Sequence, residues 1–305
     1  MNWTYVSTDR RGESRRLARG FLFELCVGWH VLYRRHMPDL SLSLDTPELA
    51  RHYESVSVDR QFEAGKLLIE RLAVRSGERV FDVGCGTGLL AEYVAQLVGA
   101  NGQVLAIDPL PLRIEIAKRR AAANLTFRVG DAYALNGYAD ASFDVVYLNA
   151  VFHWLPEKLG PLRQFRRLLV PGGRLGLTTG LGDKLGTLQE VRRRVLAREP
   201  YSRFPEASAG SARRVTLAEL RSLFEQTGFA LSSLEVVPNE VIQASPNAAI
   251  EFSQASSFGN FLGHLPTDLR RTARAEIARE LEAFRVPEGI LLQGARILAI
   301  AQKAE

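Results

Sequence analysis

Apolar positions along this chain change their period repeatedly, and the changes predict strands alternating with helices. Five segments, Val80–Gly88, Val104–Pro109, Leu125–Ala132, Phe143–Ala150 and Leu168–Leu177, each contain a short β-branched, aromatic and aliphatic run of the kind that forms a buried strand. Before the first of them Phe62–Leu72 is amphipathic with a helical period, and after it Leu90, Val94 and Leu97 recur at helical spacing. Later, Thr216 with Glu219 forms a capping box, Leu217, Leu220, Leu223 and Phe224 make one apolar face, and Gly228 is a stop signal, which together bound one helix. Leu269, Ala273, Ile277 and Leu281 form the stripe of another helix, while Leu231–Val237 and the alternating Arg296–Gln302 read as closing strands. The alternation predicts an open α/β sheet.

The first strand breaks into a glycine loop, Gly84-Cys85-Gly86-Thr87-Gly88, that opens a helix. Glycines there accept positive φ and leave room for a ligand beside the backbone, the usual construction of a nucleotide crevice. A dinucleotide fingerprint would need a third glycine at position 89, where this chain has Leu89. Asp82, at the strand end, would repel a pyrophosphate and suit a ligand carrying an ammonium group. A nicotinamide-dependent oxidoreductase is therefore disfavoured.

The run Asp82-Val83-Gly84-Cys85-Gly86-Thr87-Gly88 resembles the first motif of the class I S-adenosylmethionine-dependent methyltransferases, and four further motifs follow in the family's order. The resemblance implies a Rossmann-like, seven-stranded, mostly parallel sheet with helices on both faces, an N-terminal helical extension and a helical insertion before the last strand. It implies S-adenosyl-L-methionine as cofactor, with Asp82, Gly84, Cys85, Gly86 and Gly88 at its methionine end. Asp108, followed by Pro109, would accept the ribose hydroxyls; Asp131 and the Ala132 backbone would receive the adenine, and Asn149 would end the strand facing the methyl group. Singly, each piece has a plainer reading: Asp82 as a helix-capping acid, Asp108-Pro109 as a turn, Asp131 as a solvated loop acid, and Pro171-Gly172-Gly173 as a turn signal. The ordered set lifts them above those readings.

The same resemblance places the acceptor side. Tyr53 and Gln61 precede the first helix, where related enzymes fold a leader over the donor; a surface loop is the plainer reading of either. His153, just beyond the fourth strand, is the candidate base, since a neutral imidazole can accept a proton from a hydroxyl or carbon acid. Trp154 reads as pocket wall. Phe258, in a segment mixing aromatics with small polar residues, suits a lid over a small organic molecule or a plain helix on the sheet. The His-Trp-Leu segment is similar to the branch that methylates small acids and natural-product intermediates, such as the trans-aconitate and malonyl-thioester carboxyl methyltransferases. Quinone-ring C-methylation at a membrane surface and a non-catalytic methyltransferase-like partner are the alternatives. An arsenic methyltransferase is disfavoured by the two cysteines, and base methylation of nucleic acid by Ala150-Val151-Phe152 after Asn149.

Composition narrows the picture further. With 46% apolar and 24% charged residues the chain has the balance of a soluble globular protein. Cys26 and Cys85 make neither a disulfide framework nor a CxxC metal site, so a cytoplasmic protein without a metal is expected. The net charge is +5, yet residues 1–36 alone hold seven arginines against three acids, leaving the body almost neutral. No basic stripe for nucleic acid is expected around the cleft. The apolar run Phe21–Tyr33 is too short to span a bilayer and reads as a packing or dimerisation helix, a membrane-surface helix, or disorder. The organisation expected is an extension over 1–45, a catalytic domain over 46–305 with a donor-binding core at 70–180, and a helical lid at about 245–290.

Overall fold

The computed structural model describes residues 46–47, 51, 58–205, 212–256 and 261–304. The expected extension over 1–45, with Phe21–Tyr33, lies outside them. Strand β1 (Arg79–Val83) runs parallel between β2 (Gln103–Asp108) and β4 (Phe143–Asn149). Outside these lie β3 (Leu125–Val129) and β5 (Leu169–Gly180), also parallel. Two long strands, β6 (Phe229–Gln243) and β8 (Gly289–Lys303), complete the order β3-β2-β1-β4-β5-β8-β6, with β8 antiparallel to both neighbours. A two-residue strand, β7 (Arg285–Val286), pairs with the start of β8 as an addition to the seven expected.

Alternation along the strands gives each face its own core. Val80, Val104, Ala106, Val145 and Tyr147 face α1 (Val58–Leu72), α2 (Leu89–Val98) and α3 (Pro111–Ala117). Phe81, Val83, Val146 and Leu148 face α4 (Leu159–Leu168) and α6 (Leu217–Thr227). The capping box at Thr216 and Glu219 is formed, and Gly228 ends α6 at φ 72°. In α2 the expected stripe shifts: Leu97 is 39% exposed, because the face against the sheet is centred on Ala91, Val94, Ala95 and Val98, whose small side chains let the helix lie close. Pro171-Gly172-Gly173 makes no chain reversal. It is absorbed inside β5 as a bulge, with Phe143 opposite Leu169 but Val145 opposite Arg174, a place where a strand tolerates proline.

A third core stands at the carboxyl end of the sheet. There α5 (Thr187–Leu196), α7 (Pro246–Ser256) and α8 (Thr267–Leu281) bury Leu188, Val191, Ile250, Ala273, Ile277 and Leu281 together with Ile290 and Leu292 of β8. The strand lengths account for its position. β5 pairs with β8 only from Arg296 to Gln302, so the residues of β8 before Arg296 pair with β6, and at Gly289 and Ile290 with β7, and project as a ribbon past the end of β5. The region 245–290 supplies only part of this helical layer; α5, from the connection after β5, supplies the rest. Among the described residues no helix is long and apolar enough to cross a membrane.

Candidate active site

The chain leaves β1 toward β2 and β3 on one side, and β4 toward β5 on the other. The carboxyl ends of β1 and β4 therefore flank the point where strand order reverses, which is where open α/β sheets bind ligands. Here the glycine loop is fixed by backbone donors: Gly84 and Cys85 N–H both donate to the Ile107 carbonyl, at 2.7 and 2.9 Å. Gly84 and Gly88 hold φ of 85° and 90°. A Cβ would stand 2.3 Å from Val151 at the first and 2.7 Å from the Phe127 ring at the second, so neither place admits a side chain. Gly88 starts α2 with no side-chain cap, which leaves first-turn N–H groups of the helix open to the crevice.

Three acids stand at successive strand tips. Asp82 is buried and accepts a 2.7 Å hydrogen bond from the Tyr147 hydroxyl, its register partner on β4. Burial, opposed by that bond and reinforced by the negative charge of Asp108, pushes its carboxyl up to about 8. Among the described residues it forms no ion pair. Asp108, also buried, accepts from Gly86 N–H at 2.9 Å and from Leu110 N–H at 3.0 Å, so it braces the loop to β2. Its carboxyl is raised by burial against the opposing pull of Arg113 and those two donors. Asp131 accepts from Tyr133 N–H at 3.1 Å.

Two cavities open here, and they share a wall. The smaller, about 40 Å³, is lined by Asp82, Gly84, Cys85, Thr87 and Gly88 together with Gln61 and Asn149. The Cys85 thiol is held well above its ordinary range by burial, which keeps it protonated. The larger, about 310 Å³, lies under the helical layer and is lined by His153, Trp154, Thr178, Thr179 and Ser253, again with Gln61 and Asn149. Asn149 is oriented by a relay: Ala150 N–H donates to Thr178 Oγ1, Thr178 Oγ1 donates to Asn149 Oδ1, and Asn149 Nδ2 donates to the Gln61 carbonyl. These bonds, at 2.7 to 2.9 Å, tie α1 to the ends of β4 and β5.

His153 sits on a single 3-10 turn, Phe152–Trp154, immediately after β4. Lys158 Nζ donates to the carbonyls of Phe152 and Leu155, and Arg213 N–H donates to the carbonyl of His153, so the turn is clamped from both sides. His153 Nδ1 lies 3.4 Å from Thr179 Oγ1. Burial, with the positive charges of Arg214 and Lys158, lowers the imidazole to about 3. It is neutral at physiological pH.

Of the sequence-expected residues, Asp82, Gly84, Cys85, Gly88, Gln61, Asn149, His153 and Trp154 are brought onto these walls. Gly86 sits in the loop behind, and Asp108, Pro109, Asp131 and Ala132 lie at the neighbouring strand tips and line neither cavity. Tyr53 and Phe258 fall outside the described residues. Sequence reading missed Thr178 and Thr179, although the carboxyl end of β5 was a place to look, and it missed Arg192, Arg214 and Arg296. The signal for Arg296 was present as one charged residue at the head of an otherwise apolar strand.

A family model described as a methyltransferase domain matches residues 81–177. Among curated proteins the chain is 33% identical over 131 residues to aklanonic acid methyltransferase DauC of Streptomyces sp., covering 42% of this chain and 59% of that one. It is 37% identical over 122 residues to an arsenite methyltransferase of Aquipseudomonas alcaligenes, covering 37% of this chain and 35% of that one. A ubiquinone biosynthesis O-methyltransferase of Methylocella silvestris is 38% identical over 121 residues, 38% of this chain and 46% of that one. The chain thus matches roughly a third to three-fifths of the length of these relatives. Among solved structures, the YcgJ protein of Bacillus subtilis superposes with a TM-score of 0.54 at 18% identity, covering 80% of this chain and 99% of that one. The [4+2]-cyclase SpnF gives 0.51 at 21%, covering 80% and 81%. Strand order and the glycine loop agree with these matches: residues 81–177 match a methyltransferase domain, and the sheet has the fold of the solved structures named.

Proposed function

We propose that this protein is an S-adenosyl-L-methionine-dependent methyltransferase acting on a small organic molecule. The observation that carries the reading is the wall that Gln61 and Asn149 share between a crevice at the glycine loop and a roofed cavity, since a group passed between two ligands needs two sites that meet. The residues of the crevice fit the donor. Asp82 is a buried acid without a counter-charge among the described residues, and a ligand bearing ammonium and sulfonium groups supplies one. Asp108 and Asp131 stand at the tips of β2 and β3, where carboxylate oxygens can accept from sugar and base.

A bound donor would supply a methyl group already activated on sulfur, with S-adenosylhomocysteine as the leaving product. What the chain contributes is placement and exclusion of water. The Asn149 relay holds the shared wall rigid, and the helical layer over the larger cavity acts as the lid. His153, neutral and clamped, presents one ring nitrogen to Thr179 and the other to the acceptor. Its basicity is low, so its role is to hold the nucleophile by a hydrogen bond and to take a proton only as the new bond forms.

Titration with S-adenosylhomocysteine and with NAD, followed by product mass analysis on a panel of acids, phenols and quinones, tests the reading. Micromolar binding of the first, none of the second and a gain of one methyl group in a product is the expected outcome. Tight binding with no methylated product from any member would point instead to a non-catalytic member of the fold, and NAD binding would overturn the donor assignment.

A further inference from the structure

The large cavity differs in charge from the rest of the described body. Its described lining includes Lys184, Arg192, Arg214 and Arg296 and not one aspartate or glutamate. Arg192 is already committed, with Nε donating to the Phe261 carbonyl at 2.8 Å and its guanidinium over the Phe261 ring. Arg296 is different: its Nε is buried and has no hydrogen-bond partner among the described residues.

The sheet places Arg214 beside it. Arg296 of β8 is the register partner of Gly180 on β5, and directly opposed residues of an antiparallel pair present their side chains on the same face. A Cβ at Gly180 would stand 2.8 Å from Arg214 Nε, so Arg214 crosses the side of Gly180 left empty, on the face from which Arg296 rises. The absence of a side chain at Gly180 leaves room for Arg214 on the face from which Arg296 rises, and both residues line the cavity.

Resting on the methyl-transfer reading above, we infer that the acceptor carries an oxyanion, a carboxylate or a phosphate ester, and that its head group docks at Arg296 and Arg214. A neutral acceptor would leave a buried guanidinium donor unsatisfied, whereas an oxyanion offers paired acceptors matched to the guanidinium fork. Burial also depresses the Arg296 guanidinium, which an anion would reverse. A volume of about 310 Å³ limits the body to a small molecule, at the lower end of the roughly 300–1,000 Å³ range for ligand pockets.

The test is calorimetric titration of the full chain, saturated with S-adenosylhomocysteine at low ionic strength, with octanoate, octyl phosphate and octanamide. The two anions are expected to bind at least about tenfold more tightly than the amide, and that preference is expected to fall to about twofold or less in Arg296→Met while Arg296→Lys keeps part of it. Octanoate against octyl phosphate then separates the two head groups. Unchanged S-adenosylhomocysteine affinity in the variants shows that they fold. Equal binding of amide and anions, no saturable binding of either anion, or a preference that survives Arg296→Met would overturn the inference. Anion binding to the unloaded chain without any S-adenosylhomocysteine binding would leave the anion site standing and sink the methyltransferase reading instead.

Discussion

The crevice at the glycine loop and the cavity beneath the helices are adjacent, yet they are built by opposite means. The crevice is assembled from strand tips, one loop and the first turns of α1 and α2, its one described charged residue is Asp82, and the acids at this and the neighbouring strand tips are braced by a hydroxyl or backbone N–H. The cavity is assembled from segments spread between Gln61 and Arg296, its described charges are basic, and its roof rests on a separate apolar core. On the proposed reading the donor is met by a largely local device, and the acceptor by segments that lie far apart in the chain.

That contrast can be broken by experiment, and the largest effect is expected in the roof. Ile277 is fully buried among α5, α7 and α8, so Ile277→Ala should cost about 2–5 kcal/mol in the stability of that layer. It should raise the KM for the acceptor while leaving S-adenosylhomocysteine affinity within about twofold, which corresponds to less than about 0.5 kcal/mol. Equal loss at both sites would show that roof and crevice fold as one unit. A smaller effect is expected at Asp108. Asp108→Ala strands the Gly86 and Leu110 N–H groups as well as removing an acceptor for the donor's hydroxyls, and it should weaken donor binding by about 1–3 kcal/mol. Wild-type affinity in that variant, measured by calorimetry, would remove Asp108 from donor binding.

The smallest effects are in pH dependence, and the two regions should move in opposite directions. Asp82, raised to about 8 in the fold, keeps a proton that the unfolded chain releases near the ordinary carboxylate value; its contribution is complete at low pH and is lost as pH rises toward 8. His153, lowered to about 3, stays neutral while the unfolded chain takes up a proton below about 6.5. Its contribution is therefore present at neutral pH and is lost as pH falls. Melting temperatures measured from pH 4 to pH 9 should show a shallower alkaline decline in Asp82→Asn and a shallower acid decline in His153→Gln. An inflection near pH 6.5 in kcat/KM that vanishes in His153→Gln would contradict the lowered imidazole.

Charge shows where a sequence average misleads. Outside the first 36 residues the chain is almost neutral, and the only expectation drawn from that was that no basic stripe for nucleic acid surrounds the cleft. Folding separates the signs, placing Asp82, Asp108 and Asp131 at strand tips and Arg192, Arg214 and Arg296 around the cavity. Net charge carries no information about that separation. The helical stripe of α2 misled for a related reason, since spacing marks a face but the sheet selects its centre, here the alanines rather than Leu97.

By itself the sequence determined the strands, the glycine loop, the capped α6 and the acids at the strand tips, because each depends on residues within a few positions of one another and on local rules of backbone conformation and period. The tertiary structure alone decided that β6 and β8 outrun β5, that α5 joins α7 and α8 in one roof, and that Gly180 makes room for Arg214 beside Arg296. Those arrangements depend on which strand ends first and which side chain finds space across the sheet. They are set by pairing and packing between residues distant in the chain, and no local pattern encodes them.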